Sequence, residues 1–429
     1  MPLLVLLLCI NIFAVQIYID YRERSFKLFN PKYIFELYYI VILPFSNFIV
    51  DALNLPATDI RTAHLFVNMD RFTISLCILT GFLSFAFGTI VFRNIRFKPW
   101  RILGYEWKKN RIKPLILFLI VVGYLSFFFM MKRAGGISTF LKNLPTFRNT
   151  GLIGQGFLMY PATNLLTISF TIFMVARNKE DHSIKAKIKF ILLLLICTFP
   201  SMLMGFRGKA LCTFLEVVCL YYMFEKEIKF KNFIRIIVVF VVTFTAYGIF
   251  REMNSLSSST MAYLFHNRPG LLFNPILRIK GGEVFGVVFK QLSATHDFQY
   301  GYRTIIEALT IVIPHLLWAG KPVAKSVIFS ETFFGLNGGI SPTILTELYW
   351  DFGVFGITVG LFFFGMMFSL VFNTVMARET NSSKIIFASL YYIGFLFAES
   401  ISGPLNGLVT DMIFFTIIIT ALTVKIKLR

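Results

Sequence analysis

The sequence predicts an all-α, polytopic membrane protein. Three observations carry this. Of 429 residues, 56% are hydrophobic and 15% charged, where a soluble domain carries about 25% charged residues. Phenylalanine alone fills 52 positions. The apolar residues also gather in runs of about 18 or more, long enough to cross a bilayer as helices.

About eleven spans follow, near residues 2–19, 33–50, 71–92, 114–131, 153–176, 188–205, 209–224, 235–251, 343–372, 385–402 and 406–424. The first, MPLLVLLLCINIFAVQIYI, has no basic leader and no small-residue cleavage site. It therefore reads as a span and not as a removed signal peptide. No repeat or heptad pattern divides the chain, so it reads as one integral membrane domain over 1–429.

Charge orients the spans. The loops at 20–32, 93–113, 177–189, 225–234 and 377–384, with the tail 425–429 and Arg235, hold 26 Lys and Arg. The short loops on the other side, with Arg71 and Lys209, hold eight. Basic loops stay cytoplasmic, which places the N-terminus and the long segment 251–342 outside. The net charge of +20 is thus a topology signal, and no nucleic-acid partner is expected. Cys9, Cys77, Cys197, Cys212 and Cys219 all fall in spans without CxxC spacing and read as small buried hydrophobes. No outward DxD and no H-x-x-x-H is present, so no metal is called for.

The long outward loop carries the chemistry-bearing side chains. It holds three of the five histidines and eight basic against five acidic residues. Loops carry function when a rigid scaffold positions them. YGYRTIIEALTIVIPHLLW mixes apolar and polar residues at roughly helical spacing up to Pro314, as an interfacial helix does. The alternative is a re-entrant segment. Outside that loop, Arg207 and Lys209 sit on a very short outer turn beside Gly205 and Gly208, suited to clamping a phosphate at the bilayer surface. The plainer reading is a snorkelling arginine. Arg251, Arg268, Arg303 and Lys321 extend the outward positive surface, which suits an anionic lipid headgroup and other membrane lipids. Lys280, Lys290 and Lys325 read better as solvated or lipid-facing charges.

ISPTILTELYWDFG opens the ninth span. Ser341 is placed to cap it and Pro342 to occupy its first turn. The free amides there favour an anion. Glu347 and Asp351 are four apart and share one helical face, at a depth where carboxylates are costly and usually functional. The plainer reading pairs them with an outer arginine. Glu399 and Asp411 flank the next outer turn and draw the same interest. His296 and Asp297 offer a base with an orienting acid. Tyr300, Tyr302, Trp318 and Tyr349 are rings that a sugar groove would use, or that belong to an interfacial aromatic belt.

IPHLLWAGKP, followed about twenty residues later by ISPTILTELYWDFGVFG, resembles the Wzy-type oligosaccharide repeat-unit polymerases, the O-antigen polymerase class. GFRGKA after a short outward turn and an arginine before the long loop fit the same family. The resemblance covers roughly 200–356 by motif and the whole chain by topology. It implies a GT-C-like fold in the bacterial inner membrane with a periplasmic active site. It also implies an inverting, metal-independent glycosyltransferase without cofactor, working on undecaprenyl-diphosphate-linked oligosaccharides, with a membrane chain-length regulator as partner. The outward arginines Arg207, Arg251 and Arg268 would clamp the diphosphate, the KP motif brings Lys321, and the SPT segment brings Ser341 and Glu347. The pair at His296 matches no family motif. Arg207, Arg268, Glu347 and His296 are thus the candidates for the transfer itself. Arg251, Lys209, Arg303, Lys321, Ser341 and Tyr349 are the candidates for holding substrate. Two other readings stay open: an O-antigen ligase-like glycosyltransferase, and a polysaccharide flippase or other transporter, although no paired half-repeats are visible.

Overall fold

The computed structural model describes residues 1–23, 26–27, 30–52, 70–98, 104, 106–142, 156–177, 183–204, 213, 216–221, 235, 281–310, 313, 318, 320–336, 340, 342–377 and 380–423. Among the described residues every regular element is helical. α1 is Pro2–Arg22. α2, Pro31–Ile40, runs through a π-turn, Val41–Phe45, into α3, Ser46–Ala52. α4 is Arg71–Val91, α5 is Lys109–Arg133 and α6 is Ile137–Lys142. α7, Gly156–Tyr160, passes through a π-turn, Pro161–Leu165, into α8, Leu166–Ala176. α9 is Ile184–Leu203.

The segment expected to be the long loop holds three helices: α10, Gly281–Thr295; α11, Tyr302–Thr310; and α12, Lys325–Phe334. α13 is Ile344–Phe355, followed by a π-turn, Gly356–Gly360, and α14, Leu361–Met376. α15, Asn381–Phe397, and α16, Ser402–Thr423, complete the chain.

Seven of the described helices are long and apolar enough to cross a membrane. They coincide with the expected spans at 2–19, 71–92, 114–131, 153–176, 188–205, 343–372 and 406–424. The expected spans at 209–224 and 235–251 lie largely outside the described residues. The stretch 33–50 is divided by its π-turn, with Pro44 inside it, and carries Lys32, Glu36 and Asp51 on its helices. The stretch 385–402 is a helix of 17 residues.

Caps set the boundaries. Asn30 accepts from Lys32 N ahead of Pro31, and Asp70 accepts from Phe72 N and Thr73 N. Thr343 accepts from Thr346 N at 3.2 Å. The cap of α13 is therefore Thr343, two residues after the serine expected there, and Pro342 stands outside the helix. At the far end of α12, Gly335 takes φ +65°. This left-handed closure lets Gly335 N and Leu336 N reach the carbonyls of Glu331 and Ser330, as glycine at a helix end commonly does.

α4 and α14 pack closely through small residues. A Cβ on Gly88 would strike the Phe362 carbonyl, and one on Gly365 the Phe85 carbonyl. Close backbone approach of this kind drives helix association in lipid, where burial of apolar surface supplies little. Asn373 follows by donating to the Arg93 and Ile95 carbonyls at 2.6 and 3.0 Å, closing the end of α4. α10 is drawn into the same core. Val284, Phe285, Val287, Val288 and Leu292 are buried with Phe82, Phe329, Leu345 and Trp350. The long segment is thus built partly into the helix bundle.

Candidate functional site

The most concentrated chemistry lies where α11, α12 and α13 meet. Lys325, at the start of α12, is 1% exposed, Glu347 0% and Asp351 3%. Lys325 Nζ stands 2.8 Å from both Asp351 carboxylate oxygens and donates to Thr304 Oγ1 at 2.7 Å. Thr304 in turn donates to Asp351 Oδ2 at 3.2 Å. The same ammonium lies 3.9 Å from Glu347 Oε2 and 5.3 Å from the centre of the Trp350 ring. Burying these three side chains is offset by the Lys325–Asp351 ion pair and by the hydrogen bonds around it.

Glu347 is held separately from the other side. Ser400 Oγ and Ser402 Oγ donate to Oε1 at 2.7 and 3.0 Å, and Ser402 N donates to Oε2 at 3.1 Å. It also lies in the first turn of α13, where the helix dipole favours a negative charge. The carboxylate therefore ties the turn before α16 to the start of α13. Glu307, on α11, completes the network by accepting from Lys325 N at 2.8 Å. That bond caps α12, whose own cap residue, Ala324, has no side-chain acceptor.

The sequence placed Glu347 and Asp351 on one face, and both reach the same lysine. Their partner is Lys325, not an outer arginine. This corrects the reading of Lys325 as a solvated or lipid-facing charge. On α11, Thr304 and Glu307 share one face with i,i+3 spacing and both bond to Lys325, while Tyr302, Ile305 and Leu309 are exposed.

α13 is interrupted immediately after Asp351. Phe352 has φ −142°, and Gly353 has φ +64° and ψ −149°. The carbonyls freed by this break are recovered by a loop. Gln299 N donates to Trp350 O at 3.0 Å and Tyr300 N to Asp351 O at 2.9 Å. That loop follows His296, whose own φ is +55°, a left-handed conformation that His adopts more readily than most residues. His296 and Asp297 are both exposed, and the loop they begin is fastened to the end of the ion cluster. Arg303 is half-buried and donates from Nε to Gln299 Oε1 at 3.0 Å. Lys321 donates to Ile313 O at 2.9 Å. Burial holds its ammonium below the usual lysine range, against the opposing pull of Glu307.

Of the remaining candidates, Tyr349 is buried, with its ring packed against Phe285, Phe289 and Phe298. Tyr300, Tyr302 and Trp318 are exposed. Arg207, Lys209, Arg251, Arg268 and Ser341 lie outside the described residues. Among the described residues, no group of three His, Cys, Asp or Glu side chains is placed to hold a metal ion.

The structure thus brings His296, Arg303, Lys321, Glu347 and Asp351 into one region, around a lysine and a helix break. Comparison with known proteins bears on the whole of it. A family model described as "Putative O-antigen polymerase" matches residues 27–416, a stretch that contains every member of the cluster. Neither the curated proteins nor the solved structures gave a match.

Proposed function

From the premise that the chain belongs to the O-antigen polymerase family, whose model covers 27–416, we propose a specific reaction for this multi-pass membrane protein. It transfers a growing oligosaccharide from undecaprenyl diphosphate onto a second lipid-linked repeat unit, at the periplasmic face of the inner membrane. The family match is the observation that carries the reading.

The bond from the sugar's anomeric carbon to the diphosphate oxygen breaks. The acceptor hydroxyl oxygen bonds to that carbon from the opposite face, inverting it, and the hydroxyl proton passes to a base. The diphosphate leaves with the negative charge. Preorganised cations in a partly dry site stabilise such a charge. Arg207, Arg251 and Arg268, with Lys209, Arg303 and Lys321, are the groups proposed to meet it. Ser341 and Tyr349 are proposed to border the substrate. No metal or cofactor is part of this scheme.

Two residues are proposed around the proton. Glu347 already accepts from three donors and lies 3.9 Å from the Lys325 ammonium, so both its oxygens are engaged by the fold. His296 is exposed, and an imidazole open to substrate can serve as a general base. These features support His296 as the base and Glu347 as the group that orders the start of α13. A membrane chain-length regulator is the proposed partner.

The test is reconstitution. Purified protein given undecaprenyl-diphosphate-linked repeat units should yield a ladder of polymers, and should continue to do so in excess EDTA. Absence of any polymer overturns the reading. Loss in EDTA that magnesium or manganese restores overturns metal independence alone.

A further inference from the structure

A second polar cluster lies inside α1, α2 and α4, and the glycosyl-transfer scheme makes no use of it. Asp20 of α1 accepts from Lys32 Nζ and from the Tyr33 hydroxyl. The lysine also lies 4.9 Å from the centre of the Tyr33 ring. Glu36, one turn along α2 from Lys32, is 0% exposed. Neither of its carboxylate oxygens has a hydrogen-bond partner. Gln16 of α1 is 3% exposed, and its Nε2 is likewise unpartnered. The Gln16 carbonyl receives only a long contact from Thr89 Oγ1, at 3.5 Å, and that hydroxyl is already committed to Ala86 O at 2.8 Å.

Lys32 is bound to Asp20, and neither Glu36 oxygen has a hydrogen-bond partner among the described residues. Lys32 and Asp20 act on Glu36 through their charge, and Gln16 is the neighbouring polar side chain. α14 carries no charged residue. The one charged residue of α4, Arg71, is at the end away from Thr89 and pairs with Asp51. α15 carries Lys384, Glu399 beyond it accepts from Tyr38, and α1 ends in Arg22. Room for water is lacking too, since both Glu36 oxygens are sealed from solvent. An ionised carboxylate in such surroundings is costly, and carboxyl groups kept inside membrane proteins usually serve a purpose.

We infer that Glu36 is a proton-binding site: its sealed, unpartnered carboxyl carries an exchangeable proton between α1 and α2. A metal ion fits less well. Such ions take several oxygen ligands, whereas the unpartnered neighbour here is the amide nitrogen of Gln16, a donor. The inference is independent of the polymerase reading, because no substrate step passes through Glu36.

The full-length protein in detergent provides the test. Dicyclohexylcarbodiimide reacts with protonated carboxyl groups in apolar surroundings. The acid O–H adds across one C=N bond, with oxygen joining carbon and the proton going to nitrogen. The adduct then rearranges to a stable N-acylurea that mass spectrometry locates. At neutral pH the adduct should appear on Glu36, be absent from Glu36→Gln, weaken as pH rises and be indifferent to sodium. Protection by sodium at constant pH would overturn the proposal in favour of a metal-ion site. The infrared spectrum settles the case in which the reagent does not reach the group. A protonated-carboxyl C=O band present in the wild type and missing from Glu36→Gln supports the site, and identical spectra overturn it.

Discussion

Lys325 and Asp351 form a two-point ion pair, with Nζ 2.8 Å from each carboxylate oxygen and both residues buried. Lys325→Met leaves Asp351 and Glu347 as buried carboxylates without their cation. Breaking a buried pair from one side costs about 3–5 kcal/mol, whereas replacing both partners with apolar residues is often neutral. Lys325→Met should therefore sharply lower thermal stability in detergent. The double variant Lys325→Met, Asp351→Leu should recover much of the loss. Strictly additive losses would show that the two side chains are not coupled.

Gly353 sits where only glycine is at ease, with φ +64° and ψ −149°. An added Cβ would also lie 3.2 Å from Phe298 Cζ. Backbone strain of this kind costs about 1–3 kcal/mol. Gly353→Ala should lower the unfolding temperature, and Phe298→Leu in the same chain should not restore it, because the strain is in the backbone. Full recovery in that double variant would assign the cost to the ring contact instead.

The sequence made the helical membrane class legible because long apolar runs leave few alternatives in lipid, where backbone groups must be satisfied within the segment. It also placed Glu347 and Asp351 on one face, since four-residue spacing fixes that geometry. It did not identify their partner. Lys325 lies in a different helix, and one lysine among several carries no mark of burial until the helices are packed. The break at Phe352–Gly353 was similarly hidden. DFGVFG reads as an apolar run with small residues, and only the carbonyl bonds from Gln299 and Tyr300 show that the helix stops there. The cap of α13 was misplaced within SPT because serine and threonine cap alike.

His296 and Glu347 separate by pH. His296→Ala should reduce turnover by about 100-fold or more, in keeping with loss of a general base, with membrane abundance unchanged. It should also change the pH profile of the rate. Glu347→Gln keeps the shape but disturbs the three donors and Lys325, so it should lower abundance while the surviving protein keeps the wild-type pH profile. The reverse assignment, with the profile lost in Glu347→Gln and kept in His296→Ala, would make Glu347 the base.

Arg207 is proposed to hold the diphosphate through a forked contact that lysine cannot reproduce. Charged hydrogen bonds contribute about 1.5–3 kcal/mol each, and about 1.4 kcal/mol is tenfold in rate. Arg207→Lys should thus slow polymer formation by roughly ten- to several-hundred-fold, with Arg207→Ala lower still and both present at normal levels in the membrane. Near-normal polymer from Arg207→Lys would reject the clamp and leave a snorkelling arginine.

Polymerisation of repeat units is read most directly from the lipopolysaccharide banding pattern of a deletion strain. That strain should show core carrying a single repeat unit, with the long ladder restored by the wild-type gene. Core with no repeat unit at all would contradict it, pointing to a ligase or flippase instead, and an unchanged ladder would contradict it outright.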